Sequence, residues 1–193
     1  MEPLEVLQLV VSKLDELSVP YMLGGSFASS LYGFARTTQD ADFVVYLRAD
    51  QVERFVEIFR CEFYVDPGSI ERALGAESSF NVVHLESAFK ADFFMLKGRS
   101  FDQTSFSRRQ PRPIDPDSRL EAYFQTAEDT LLSKLDWFRQ GGGVSETQWR
   151  DALGILKAQA GRLDMSYVRH WAEELGLLGL LNQATLEANM LSK

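Results

Sequence analysis

Apolar residues at Leu4, Leu7, Val10, Val11, Leu14 and Leu17 recur at helical spacing, so the chain opens with a helix over about Pro3 to Ser18, with Pro3 suited to its first turn. The pattern then shortens. Val19 to Leu23 reads as a strand, Ser26 to Tyr32 as a helix with a small face at Ala28, Ser29 and Ser30, and Gly33 as its stop. Asp40 to Leu47 predicts a buried strand, and Val52, Phe55, Val56 and Phe59 predict a helix opened by Ala49-Asp50. Phe63 to Val65 is a short strand, and Pro67-Gly68-Ser69 leads into a short helix around Ile70 to Leu74. Phe80 to Leu85 and Ala88 to Leu96 are two strands joined by a tight turn at Glu86-Ser87, an antiparallel hairpin. After about Tyr123 only helical patterns follow, over Thr130 to Phe138, Glu146 to Ala160, Met165 to Leu175 and within Leu178 to Asn189, with Gly141-Gly142-Gly143 a flexible joint. Strands mixed with helices and then helices alone predict an α+β fold, with a mixed β-sheet core over 1–125 and a C-terminal helical subdomain over 126–193.

Composition narrows the classes. The 193 residues are 45% hydrophobic, enough for a core, and no apolar run approaches membrane-spanning length, so no membrane partner is expected. Cys61 is the single cysteine, which excludes an internal disulfide; with no signal peptide recognisable, a cytoplasmic protein is the simplest expectation. The net charge of −8 argues against tight nonspecific binding to DNA. Between Lys97 and Arg112, however, Lys97, Arg99, Arg108, Arg109 and Arg112 stand against Asp102 alone. That stretch is either a solvated hairpin or loop, or a surface for a polyanionic acceptor or a triphosphate.

The chemistry concentrates around Gly24-Gly25-Ser26 and Asp40-Ala41-Asp42. Asp40 and Asp42, spaced i, i+2 in a strand, point to one side. At about 4 Å and an effective dielectric near 20, two such charges repel by roughly 4 kcal/mol, so the pair holds either a proton or a cation. A hard divalent ion with oxygen ligands is the natural choice. Asp92 supplies a third carboxylate in the centre of an apolar strand, with Lys90 two residues before it on the same side. Alone, Asp92 reads as the partner of Lys90 or an arginine; beside Asp40 and Asp42 it reads as part of a site for one or two divalent ions, with Lys90 among the nucleotide contacts. Gly24, Gly25 and Ser26 end a strand and open a helix, a terminus suited to phosphate. Arg36 either contacts a phosphate or fixes the loop through an aspartate, and Thr38 orients Asp40 through a hydrogen bond or plays a structural part.

Together, Gly24-Gly25-Ser26, Arg36, Thr38, Asp40, Asp42 and the later Asp92 resemble the nucleotidyltransferase superfamily of DNA polymerase β type, in its small bacterial and archaeal branch. The resemblance covers about residues 20–95. It implies a mixed-sheet core, Mg²⁺ or Mn²⁺ as cofactor, ATP or another nucleoside triphosphate as donor, and transfer of a nucleotidyl group to a hydroxyl with pyrophosphate released. It further implies Asp40 and Asp42 as metal-binding pair, Asp92 as third ligand and base, and Gly24 to Ser26 as the phosphate-holding turn. The helical half, with Glu128 to Leu135 and Gln148-Trp149-Arg150-Asp151, is similar to that of abortive-infection nucleotidyltransferase toxins. There, a lysine like Lys134 and an aspartate like Asp151 face the nucleotide; the other reading is surface pairs within amphipathic helices. The acceptor, whether protein, RNA end or small molecule, stays open, and so does a non-catalytic nucleotide- or partner-binding module on the same scaffold, regulatory or toxin-antitoxin-like.

His84 and His170 read as structural, Trp137, Trp149 and Trp171 as core, and Cys61 as unactivated.

Overall fold

The computed structural model describes residues 1–35, 38–114 and 120–190. Its elements follow the apolar pattern closely up to residue 96. Helix α1 (Pro3–Glu16) starts with a capping box in which the Glu2 backbone N–H donates to the Glu5 carboxylate at 2.8 Å. Then come β1 (Tyr21–Leu23), α2 (Gly25–Tyr32), β2 (Asp40–Val45), a 3-10 turn at Ala49–Gln51, α3 (Val52–Phe59), β3 (Phe63–Val65), α4 (Pro67–Ala76), β4 (Ser79–His84) and β5 (Lys90–Met95). Next are α5 (Ser100–Arg108), β6 (Gln110–Pro113) and β7 (Glu121–Phe124), followed by α6 (Ala127–Gln140), α7 (Glu146–Ala158), α8 (Met165–Glu174) and α9 (Leu178–Met190).

Among the described residues the strands form one seven-stranded mixed sheet in the order β3-β4-β5-β2-β1-β7-β6. The β4–β5 pair is the antiparallel hairpin that the sequence predicts, and β2 pairs in parallel with β5. Phe43 of β2 and Phe93 of β5 stack at 5.4 Å on the apolar face. Phe55 and Phe59 of α3 meet Phe93 edge-on at 5.5 and 6.0 Å, which fixes that helix over the centre of the sheet. Lys13 of α1 donates to the Ile58 carbonyl and to Glu62, both at 2.8 Å, and so ties the first helix to the same layer.

The basic stretch from Lys97 to Arg112 is not a bare loop: it folds into α5 and the edge strand β6, which pairs antiparallel with the next strand, β7. Two prolines in the four residues of β6 hide its strand character from propensity reasoning. Its charges are largely engaged within the protein. Arg99 pairs with Asp102 at 2.9 Å, the Arg109 guanidinium lies 4.2 Å from the Phe106 ring centroid, and Arg112 donates to the Gln110 side chain at 2.7 Å.

The chain clusters into two units. One comprises Met1–Gly24 and Thr37–Phe124, and holds the sheet; the other comprises Gly25–Arg36 and Gln125–Lys193, and is helical. The composition shift near residue 125 marks one crossing between them. Helix α2, which the sequence reading assigns to residues 1–125, packs instead with α6 and α7. The physical reason is its small face: Gly33 lies so near α7 that a β-carbon on it would come within 3.0 Å of the Gly154 and Ile155 backbones. In the helical unit Trp149 is tied down by Phe138, at 5.0 Å between ring centroids, and by Glu187, which accepts its indole N–H at 3.0 Å. Trp137, expected in the core, is 51% exposed. No helix among the described residues is long and apolar enough to cross a membrane.

Candidate active site

Strand β2 alternates strictly, with Ala41, Phe43 and Val45 buried and Asp40, Asp42 and Val44 half-buried on the opposite face. Strand β5 repeats that pattern, with Ala91, Phe93 and Met95 inside and Lys90, Asp92 and Phe94 half-buried. The parallel register sets Asp40 opposite Lys90 and Asp42 opposite Asp92. Residues paired across adjacent strands share a face and lie about 5 Å apart. The three carboxylates and the lysine therefore occupy one patch, and a shift of one residue in either strand would bury them.

Hydrogen bonds orient the patch. The Thr38 hydroxyl donates to the Asp40 carboxylate, and the Gly24 backbone N–H donates to the Asp42 carbonyl at 2.9 Å, so the glycine turn begins directly beside Asp42. The Lys90 ammonium donates to Asp92 Oδ2 at 2.8 Å, with side chains 43% and 18% exposed. Its pKa is held above the usual lysine value chiefly by that hydrogen bond; the charges of Asp92, Asp40 and Asp42 add to it against the opposing effect of burial.

Among the described residues no three His, Cys, Asp or Glu side chains are gathered tightly enough to hold an ion. Within the patch Asp92 is paired with the Lys90 ammonium, which offsets part of the repulsion among the three acids. The donor set nevertheless fits a hard divalent cation, because it offers carboxylate oxygens from two paired strands and a field that already concentrates on a cation.

Gly24 follows β1, and its backbone N–H is spent on the Asp42 carbonyl. Gly25 follows at φ 52°, in the left-handed region where glycine carries no steric cost, and Ser26 is buried in the first turn of α2. Arg36 lies outside the described residues.

Lys134 and Asp151 are not same-helix surface pairs. Lys134 Nζ of α6 meets Asp151 Oδ2 of α7 at 2.9 Å with both side chains 5% exposed, and Ser29 of α2 donates to the same oxygen at 3.0 Å. Sequence reasoning missed Ser29, whose signal is only a small residue on a small face. It also missed Asp129, which is fully buried and accepts the Tyr167 hydroxyl at 2.6 Å and the Thr126 hydroxyl at 2.8 Å. A further neighbour, Asn81, lies opposite Asp92 in the β4–β5 register, on the exposed side of β4. The alternation of β4, combined with the hairpin turn, is the signal that points to it.

His84 is structural. It is buried, its Nδ1 accepts the Ser87 backbone N–H at 3.2 Å, and its ring meets Phe63 at 5.3 Å.

No protein-family model and no curated protein sequence matches this chain. Solved structures do. An antigenic nucleotidyltransferase-like protein from Paracoccidioides brasiliensis is similar at a TM-score of 0.55 and 16% identity, over 95% of this chain and 92% of that one. The antibiotic-resistance factor ANT(2'')-Ia is similar at 0.56 and 14%, over 98% and 97%. The lincosamide antibiotic adenylyltransferase LnuA, with lincomycin bound, has a TM-score of 0.49 and 13% identity over 80% and 96%. The chain has the α+β nucleotidyltransferase-like fold.

Proposed function

We propose that this protein is a divalent-cation-dependent nucleotidyltransferase that moves a nucleotidyl group from a nucleoside triphosphate to a hydroxyl acceptor and releases pyrophosphate. The observation that carries the proposal is the register of β2 with β5, which gathers Asp40, Asp42 and Asp92 on one half-buried face beside the start of the glycine turn. A structural ion pair needs one acid; three on one patch are costly unless a cation is part of the design.

Asp40 and Asp42, with Asp92 as third ligand, would hold a divalent ion, which would supply charge neutralisation for the triphosphate. Thr38 fixes the orientation of the Asp40 carboxylate through its hydroxyl. Asp92 takes the proton of the acceptor hydroxyl as its oxygen attacks the α-phosphorus. The new P–O bond forms on one side while the bond to the β-phosphate oxygen breaks on the other, and its electron pair leaves with pyrophosphate.

The test is transfer of label from an α-³²P-labelled nucleoside triphosphate, in the presence of Mg²⁺ or Mn²⁺, to components of a cell extract. Asp42→Asn is expected to lower transfer by about a hundredfold or more, since displacing even a group that merely supports a metal ligand costs ten- to a hundredfold. Transfer unchanged in both Asp40→Asn and Asp42→Asn would remove the proposal. The Lys90–Asp92 pair favours a second reading, a nucleotide-binding module without catalysis. Metal-dependent nucleotide binding with no labelled product would select it.

A further inference from the structure

Of the four charged side chains on the β2–β5 patch, one is positive and sits on a flexible stem. Lys90 lies across from Asp40 in the register and contacts Asp92 at 2.8 Å, while 43% of its side chain stays open to solvent. A lysine ammonium is a compact point charge with three rotatable donors on four methylenes, so it can leave a carboxylate without moving the backbone. Asp92, at 18% exposure, is the more fixed partner.

We propose that Lys90 is a resident counter-ion which occupies Asp92 in the metal-free protein and is displaced by the divalent ion, so that the ammonium and the metal compete for one carboxylate. The inference rests on the reading of Asp40, Asp42 and Asp92 as the metal-binding acids. The ammonium offers hydrogen bonds and a single charge, enough to offset part of the repulsion among three acids while the site is empty of metal. A divalent cation draws several carboxylate oxygens at once, which one ammonium cannot do. On displacement the ammonium stays on the same face, free to take an anionic oxygen of the triphosphate. Pairing with Lys90 thus sets the threshold of metal concentration at which the site assembles.

Isothermal titration of the full chain with Mn²⁺ alone, without nucleotide, tests this. Lys90→Met is expected to bind Mn²⁺ about three- to fivefold more tightly than the unmodified protein, the upper part of the range in which a partly exposed ion pair acts. Lys90→Arg, which keeps the charge, is expected to bind no more tightly than the unmodified protein. Lys97→Met removes a cation from an exposed position just beyond β5 and controls for the general loss of positive charge; its affinity is expected to stay within twofold. Far-ultraviolet circular dichroism of each variant verifies that it is folded. Equal affinity in Lys90→Met and the unmodified protein overturns the inference, as does equal tightening in Lys97→Met. If none of these proteins binds Mn²⁺, the reading of the acids as a metal site fails first and the inference falls with it.

Discussion

Tyr21 holds a hydroxyl in the core of the sheet unit with no hydrogen-bond partner among the described residues. Its ring is well packed, edge-on to Phe43 and to Tyr123 at 5.9 Å each. Burial, and next the charge of Asp15, push its ionisation well above the ordinary tyrosine value, so the fold tolerates only the neutral phenol. In the unfolded chain tyrosine ionises near pH 10. The folded state therefore loses stability as pH rises above about 10, and the group contributes no pH dependence below that. Tyr21→Phe keeps the ring and removes the unsatisfied oxygen. It is expected to be neutral or stabilising by about 1 kcal/mol at pH 7. Its advantage should widen at pH 10.5, as urea denaturation at the two pH values would measure. At this scale the sequence is most informative where a residue breaks its own pattern. Asp40, Asp42 and Asp92 stand among apolar neighbours; the common face of Asp40 and Asp42 follows from parity, and Asp92 joins it through the β2–β5 register. That Asp92 turns to Lys90 is compatible with the i, i+2 spacing, yet the choice between an ion pair and a metal cage depends on which cation is present, and sequence carries no such variable.

Helix α2 shows what elements conceal. Its length and stop at Gly33 are legible, but its partners are not, because Ala28, Ser29 and Gly33 record that something comes close without recording what. The close neighbour is α7, and the contact brings Ser29 to the Lys134–Asp151 pair. That pair joins α6 to α7 out of water, so neither charge is dispensable alone. Lys134→Met leaves Asp151 buried without its cation and is expected to destabilise the helical unit by about 3–5 kcal/mol. The double variant Lys134→Met/Asp151→Leu should recover most of that loss. Thermal denaturation followed by Trp149 fluorescence would register both, since Trp149 packs within the same unit. Strand β6 escapes pattern reasoning for another reason: two of its four residues are prolines.

At the scale of the whole chain, the polypeptide passes from one unit to the other after Gly24, again between residues 36 and 37, and once more after Phe124. The shift from mixed to helical patterns near residue 125 makes only the last of these passages visible in sequence. A segment comprising residues 125–193 alone lacks α2 and with it the Ser29 donor and the close Gly33 contact. It is expected to lose cooperative thermal unfolding and dispersed amide resonances, whereas the full chain keeps both. A dispersed spectrum from the isolated segment would show that α2 is dispensable to the helical unit.

Strand β6 ends the sheet, and its order of residues has a consequence for how copies of this protein meet at high concentration. Ile114, just past the strand, donates its N–H to Leu120 toward β7, so by the two-residue alternation Gln110 and Arg112 face the same way and Pro111 and Pro113 face outward. The outer rim of β6 therefore lacks N–H donors at both of those positions. An intruding strand from another molecule finds acceptors there and no donors to match its own carbonyls, which denies this margin as a template for fibrillar growth.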